Sequence, residues 1–238
     1  RPHQGHKITI GLGDRLGLAS PGHIEAIREL DVFPVLAQQS IRELNLTGRT
    51  YDDVISATAW AVFQEGYTKG YGADGDHLKT AEEVKMALDI GMTMITLDCS
   101  EHIDNTAASQ SSAELTAKYA QFSAQERERW EESYAEKVIQ LEGCSFSISK
   151  EDAVRMGCVY GKAIHHTLDI YHNLIAKCAR PIDFEMSIDE TLTSTTPASH
   201  YFVASELIAA GVNITSLAPR FCGEFQKGID YIGELDQF

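Results

Sequence analysis

The chain has 238 residues, 43% hydrophobic and 23% charged, with a formal net charge of −15 at pH 7. That composition belongs to a globular α/β-sized domain with a substantial core, and its acid excess excludes nucleic acid or an anionic membrane surface as the principal partner. No apolar run reaches the roughly 18 residues that span a bilayer, and no signal-peptide pattern is read; five scattered cysteines (Cys99, Cys144, Cys158, Cys178, Cys222) without a C-x-x-C pair suggest reduced thiols and a cytoplasmic location.

In chain order, KITIGLG (7–13) is the first strand candidate. GLGDRLG (11–17) is too loosely spaced for a dinucleotide fingerprint and reads as a backbone turn carrying Asp14 and Arg15, the latter a candidate for a substrate carboxylate. SPGHIEAIREL (20–30) reads as a helix with Ser at the N-cap and Pro at the first helical position. FPVLAQQ (33–39) is the second strand, and Gln38 at its end supplies an amide suited to sugar hydroxyls. Apolar residues recur at helical spacing through YDDVISATAWAVFQEGY (51–67).

YGADG (71–75) is the third strand, opening into a Gly-rich turn that crowds Asp74, Asp76, His77 and Lys79 together. Neutral imidazole beside carboxylates is a ligand set for a divalent transition metal, and Lys79 adds a cation for an acidic substrate; a solvated polar loop is the alternative. TAEEVKMALDIG (80–91) carries a Thr-x-x-Glu capping box and a terminal glycine. MTMITLDC (92–99) is the fourth strand, ending at Asp98, which would orient a ligand histidine from behind.

Residues 105–178, rich in Glu, Gln, Lys, Ala and Arg, read as a helical insertion or lid after the fourth strand; His165, His166 and His172 within it read as structural or surface residues. In PIDFEMSI (181–188), strand alternation puts Asp183, Glu185 and Ser187 on one face and Ile182, Phe184 and Met186 on the other. Two carboxylates on an inward face are costly unless paired, metal-bound or proton-sharing, so Asp183 and Glu185 are candidates for chemistry. PASHYFVASELIAAG (197–211) is helical. VNITSLA (212–218) is the sixth strand, with Arg220 just beyond it as a candidate anion-binding residue.

Strand–helix alternation fits either an open doubly wound sheet or a closed barrel. The lack of G-x-G-x-x-G, and polar residues at the ends of many strands, favour a (β/α)8 TIM-type barrel, with residues 1–238 as its catalytic domain. About six βα units are counted, with GIDYIGELDQF in a sixth helix, so the chain reads as an incomplete fragment, roughly 60 or more residues short of closure. Arg in place of Met at position 1 agrees with a piece of a longer chain.

GDRLGLASPGHI, AQQSIRELNLTGRTYDDV, WAVFQEGYTKGYGADGDHLKT, MTMITLDCSEHIDN, DFEMSIDET and PRFCGEFQKGIDYIG together resemble the tagaturonate epimerases, enzymes of hexuronate catabolism. The resemblance implies a metal-dependent isomerase that interconverts D-tagaturonate and D-fructuronate in the cytoplasm. It implies a divalent cation (zinc, manganese, nickel or cobalt), Asp76 as a proton-transferring residue, His77 as a metal ligand and Glu185 as the second acid/base, with Asp183 left as an alternative to Glu185. A later strand of the family carries a further histidine motif that this sequence lacks. The substrate class is a small sugar acid, with no nucleic-acid or membrane partner, and a homo-oligomer is compatible with the reading. A sugar-acid aldolase or isomerase, or a non-catalytic sugar-acid-binding fragment, would use nearly the same residues.

Overall fold

The structure of the chain, a computed structural model, describes residues 8–226, 228–236 and 238. Strands and helices alternate as the hydrophobic pattern requires: β1 (Thr9–Gly11), α1 (Ser20–Ile27), β2 (Phe33–Ser40), α2 (Ile41–Thr47), α3 (Tyr51–Gln64), β3 (Gly72–Leu78), α4 (Ala81–Ile90) and β4 (Met94–Asp98). There follow α5 (Ser112–Tyr119), α6 (Ala124–Tyr134), β5 (Lys137–Leu141), β6 (Cys144–Ile148), α7 (Lys150–Ile170), β7 (Asp183–Ile188), α8 (Pro197–Ala209) and β8 (Ser216–Pro219). Among the described residues no helix is long and apolar enough to cross a membrane. All five cysteines are free thiols.

Six strands form one sheet in the order β1-β2-β3-β4-β7-β8, while β5 and β6 pair with each other. This corrects the expected (β/α)8 barrel. The sheet starts at β1 and stops at β8 without joining them, and the result is a six-stranded half-barrel. Closure needs a full circuit of tilted, staggered strands, which six strands of an eight-strand plan do not complete. The pairings β1–β2, β2–β3 and β3–β4 are parallel, so each needs a crossover of the length the intervening helices supply.

Several local expectations also change. Ser20 does not cap α1; the Asp14 carboxylate does, accepting from the backbone N–H groups of Leu18, Ala19 and Ser20 at 2.9, 2.8 and 2.9 Å. Burial works to raise the Asp14 pKa, but these bonds outweigh it and hold the carboxyl below its ordinary value. The α4 signals act as expected: Thr80 and Glu83 close a capping box, and Gly91 ends the helix at φ 108. The third strand runs beyond Gly75 through Asp76, His77 and Leu78, and the last strand starts at Ser216 instead of Val212. Among the described residues, GIDYIGELDQF holds no helix; Glu224 and Ile232 form an isolated antiparallel bridge.

Residues 105–178 are not wholly helical. KVIQL and CSFSI form an antiparallel hairpin across the two-residue turn Glu142-Gly143, with Gly143 at φ 84. α7 continues into a π-helical turn over Tyr171–Ile175.

The chain divides into two compact units. The first holds the described residues through Asp98 with Ile170–Met186 and Ile214–Ser216; the second holds Cys99–Asp169, Ser187–Asn213 and the described residues from Leu217 onward. In the first, Ile24, Ile27, Leu36, Ala61 and Tyr67 pack as a core between sheet and helices, and Ile95, Leu97 and Phe184 are fully buried. In the second, Trp130 lies fully buried, edge-on to Phe202 and beside Phe122, with Gly157 and Gly161 of α7 close against the aromatic rings.

Candidate active site

Two irregularities in the sheet decide which side chains reach its polar face. The register of β2 on β3 shifts between Val35 and Ala37. In a regular strand Leu36 and Gln38 would share a face. The shift breaks that alternation, so Leu36 packs with Ile24, Ile27 and Ala61 while the Gln38 amide reaches Asp74 Oδ2 at 3.5 Å.

The second irregularity lies between Gly75 and Leu78, where three steps along β3 oppose two along β4. His77 sits within it at φ 53, a left-handed conformation that histidine tolerates better than most side chains. Leu78 thereby stays fully buried, close to Gly75 on the same side as Ala87 and Ile95. Asp76 and His77 form a half-buried pair, Oδ1 to Nδ1 at 2.8 Å.

Sequence alone does not single out Asp74 from its acidic neighbours, but the structure does. Asp74 is completely buried, and the Thr96 hydroxyl donates to its two oxygens at 3.1 and 3.3 Å. Burial first, and then the Asp76 and Glu185 carboxylates, push its pKa well above the ordinary range, with the Thr96 hydrogen bond and His77 opposing. Glu185 accepts a hydrogen bond from the Ser216 hydroxyl. Asp183 is buried two residues before it, and Ile182, Phe184 and Met186 on the intervening positions are buried as well. Tyr51, beneath the strand end, donates to the Gln39 carbonyl at 3.1 Å; burial, and then Asp74, Asp76 and Glu83, push its phenol pKa upward.

Gln38, Asp74, Asp76, His77 and Glu185 therefore belong to one electrostatic cluster. A carboxyl that favours its neutral form beside other acids and an imidazole is a set able to give and take protons.

The remaining candidates are placed otherwise. Lys79 Nζ lies 3.6 Å from Asp98 Oδ2, a pair in which Asp98 is 3% exposed. Arg15 pairs with Glu43. Arg220 belongs to the second unit, where its guanidinium donates to the Thr191 carbonyl. That unit also stacks His102 on His166, ring centroids 3.9 Å apart, and burial followed by His166 lowers the His102 pKa. His165 pairs with Glu126 at 2.5 Å, and His200 approaches the Leu217 carbonyl at 3.3 Å.

An imidazole oriented through one nitrogen by a carboxylate, as His77 is by Asp76, is the usual setting of a metal-ligating histidine. Among the described residues, however, no three His, Cys, Asp or Glu side chains are grouped so as to hold a metal ion. The donors here do not make a complete cation site by themselves.

Over residues 1–238 the chain matches the family model for tagaturonate epimerase, UxaE. It is similar to the tagaturonate/fructuronate epimerase of Thermotoga maritima, with 40% identity over 237 residues, 98% of this chain and 48% of the relative. It is also similar to the native crystal structure of fructuronate-tagaturonate epimerase UxaE from Cohnella laeviribosi, with TM-score 0.93 and 54% identity, covering 98% of this chain and 47% of that one. A structure of the same enzyme with two glycerols gives TM-score 0.94 at 55% identity, covering 98% and 48%. The chain thus spans about half the length of the relatives it matches.

Proposed function

The chain belongs to the tagaturonate epimerase family, and from that membership we propose that it serves the interconversion of D-tagaturonate and D-fructuronate by inversion at C4. The observation that carries this reading is the buried Asp74 within electrostatic reach of Asp76, His77 and Glu185 on the polar face of the sheet.

The two sugar acids differ at C4 while the ketone is at C2, so the carbonyl does not acidify the C4 hydrogen and a direct proton swap is difficult. Retro-aldol chemistry avoids that barrier. A base takes the C4 hydroxyl proton, the C3–C4 bond breaks, and its electron pair moves into the C2 carbonyl to give an enediolate. The C4 aldehyde turns its other face, C3 re-adds, and the proton returns to the new C4 oxygen. Glu185 or Asp76 is the base in this proposal, and Asp74 holds a proton beside them. Gln38 addresses a hydroxyl, and Lys79 and Arg15 are the cations proposed for the carboxylate. A divalent cation, with His77 among its ligands, would supply Lewis acidity when bound; no step is assigned to it from the donors present.

The test is conversion of D-tagaturonate followed by NMR, before and after treatment with chelator and re-addition of zinc, manganese, nickel or cobalt. Appearance of D-fructuronate supports the epimerase, and dependence on the added cation supports metal participation. Accumulation of three-carbon fragments without epimer would replace the reading with a sugar-acid aldolase.

A further inference from the structure

Gly11, the last residue of β1, is paired with Val35 of β2 and has no left-handed backbone angle that would demand glycine. What it supplies is room. A Cβ at this position would lie 2.6 Å from Oε1, 3.3 Å from Cδ and 3.4 Å from Nε2 of Gln38. All three atoms are amide atoms, so the Gln38 amide lies against the bare α-carbon of Gly11. The far side of the same amide is 3.5 Å from Asp74 Oδ2 through Nε2. In this arrangement Nε2 donates toward Asp74, and Oε1 is the amide atom nearest the vacant Cβ position of Gly11.

We infer that Gly11 is a specificity-determining position, whose missing side chain lets β1 and Asp74 hold the Gln38 amide in one orientation for a hydroxyl-bearing substrate. This inference rests on the sugar-acid reading above and adds to it the group that recognises the hydroxyls. A primary amide both donates and accepts, so a fixed one matches neighbouring hydroxyls of a polyhydroxy acid, and a site built to hydrogen-bond a hydroxyl discriminates by that bond. A freely rotating Gln38 would offer the same atoms but would have to be ordered on binding. Gly11 acts through Gln38 and is a positioning residue.

The amide is the far end of a flexible side chain, so Gly11→Ala displaces it without bending the sheet. The test is a double-mutant cycle in the intact protein with Gly11→Ala, Gln38→Ser and both together, with thermal melting to compare the folds. D-tagaturonate turnover and calorimetric binding of D-tagaturonate are measured on all four proteins. Gly11→Ala is expected to raise KM about three- to ten-fold, the worth of one hydrogen bond, with kcat within about two-fold. Gln38→Ser is expected to do the same, and the double variant to match Gln38→Ser alone.

An unchanged KM in Gly11→Ala or in Gln38→Ser overturns the inference, and so does a Gly11→Ala penalty that persists in the Gln38→Ser background. Those results leave the epimerase reading standing if the wild type turns over. A wild type that binds D-tagaturonate without converting it, with the cycle reproduced in Kd, overturns the epimerase reading and keeps this one. Absence of binding overturns both.

Discussion

The Thr96 hydroxyl donates to both carboxyl oxygens of Asp74, at 3.1 and 3.3 Å, and this pair sits fully inside the sheet's polar face. One hydroxyl is a small counterweight to a buried acid that also feels Asp76 and Glu185. Its raised pKa means that, between the unfolded and folded values, the folded chain binds more protons and loses stability as pH rises. Asp74→Asn keeps the shape and removes the charge. At neutral pH the variant is expected to melt a few degrees above the wild type, by roughly 2–4 °C per kcal/mol recovered, with the gap closing below about pH 4, where an unfolded aspartate is itself protonated. In turnover it should lose about 100-fold in kcat if the group moves a proton. Melting curves across pH and turnover on one preparation check both halves, and full activity in Asp74→Asn would remove the residue from the chemistry.

His77 is one of two described non-glycine residues with positive φ, at 53. The bulge that holds it also sets where Asp76 points, so backbone strain and site geometry are one feature here. His77→Ala should lose the Asp76 contact and keep the unfavourable φ; His77→Gly loses the contact and relieves the φ. The glycine variant is therefore expected to be more stable than the alanine variant by about 1 kcal/mol, and denaturant unfolding of the two separates the terms. Equal stabilities would show that the left-handed φ stores no strain.

How far the sequence carried can be judged from particular residues. The alternation in PIDFEMSI pointed to Glu185 as a residue for the polar face, and Glu185 is within electrostatic reach of Asp74. The Thr80–Glu83 box and Gly91 were local signals. Asp74 was not legible as special, since its burial depends on register: Gln38 and Thr96 reach it only after β2 and β3 slip at their bulges. Asp14 as the α1 cap was hidden by a loop that carries its carboxylate back six residues to Ser20. The Glu142-Gly143 hairpin had a readable turn signal, but the charged helical sequence before it masked the short strands. The (β/α)8 architecture was the largest miss: counting about six βα units marked the chain as incomplete, but did not show six strands in one half-barrel sheet with β5 and β6 in a sheet of their own.

Gly161 on α7 leaves space for an aromatic cluster: a Cβ there would lie 2.6 Å from Phe122 Cε1 and Cζ and 2.9 Å from Trp130 Cη2. Trp130 is fully buried and meets Tyr119, Phe122 and Phe202 in tilted or edge-on contacts, so the rings cannot simply yield. The helix-propensity gain of alanine over glycine is about 1 kcal/mol, while overpacking costs typically 1–3 kcal/mol. The overpacking term should win against rings held this tightly, so Gly161→Ala is expected to lower stability by up to about 2 kcal/mol net. The surface glycine Gly22 of α1, with nothing within 4 Å, is the control; Gly22→Ala should be neutral or stabilising by circular-dichroism melting.

Glu206 of α8 is 3% exposed and accepts four hydrogen bonds, all from α6. Arg129 contributes two at 2.7 and 2.5 Å, Trp130 Nε1 one at 2.7 Å, and the Tyr134 hydroxyl one at 2.7 Å. Burial alone would raise the Glu206 pKa, but Arg129, Tyr134 and Trp130 outweigh it and the pKa falls below its ordinary value. Glu206→Gln turns one acceptor oxygen into a donor facing donors, and leaves the guanidinium without its anion. Breaking a fully buried pair costs about 3–5 kcal/mol; Arg129 keeps 47% of its side chain exposed, which reduces the loss to about 2–3 kcal/mol here. That corresponds to a drop in Tm of roughly 5–10 °C near neutral pH. A depressed folded pKa gives stability that is fully present above the unfolded value and lost as pH falls through the folded one. The difference between wild type and Glu206→Gln should therefore shrink once the pH drops below about 4.3, the ordinary glutamate value. A penalty that stays constant down to pH 3 would mean that shape and hydrogen-bond count hold α6 to α8, and that the charge of Glu206 contributes nothing.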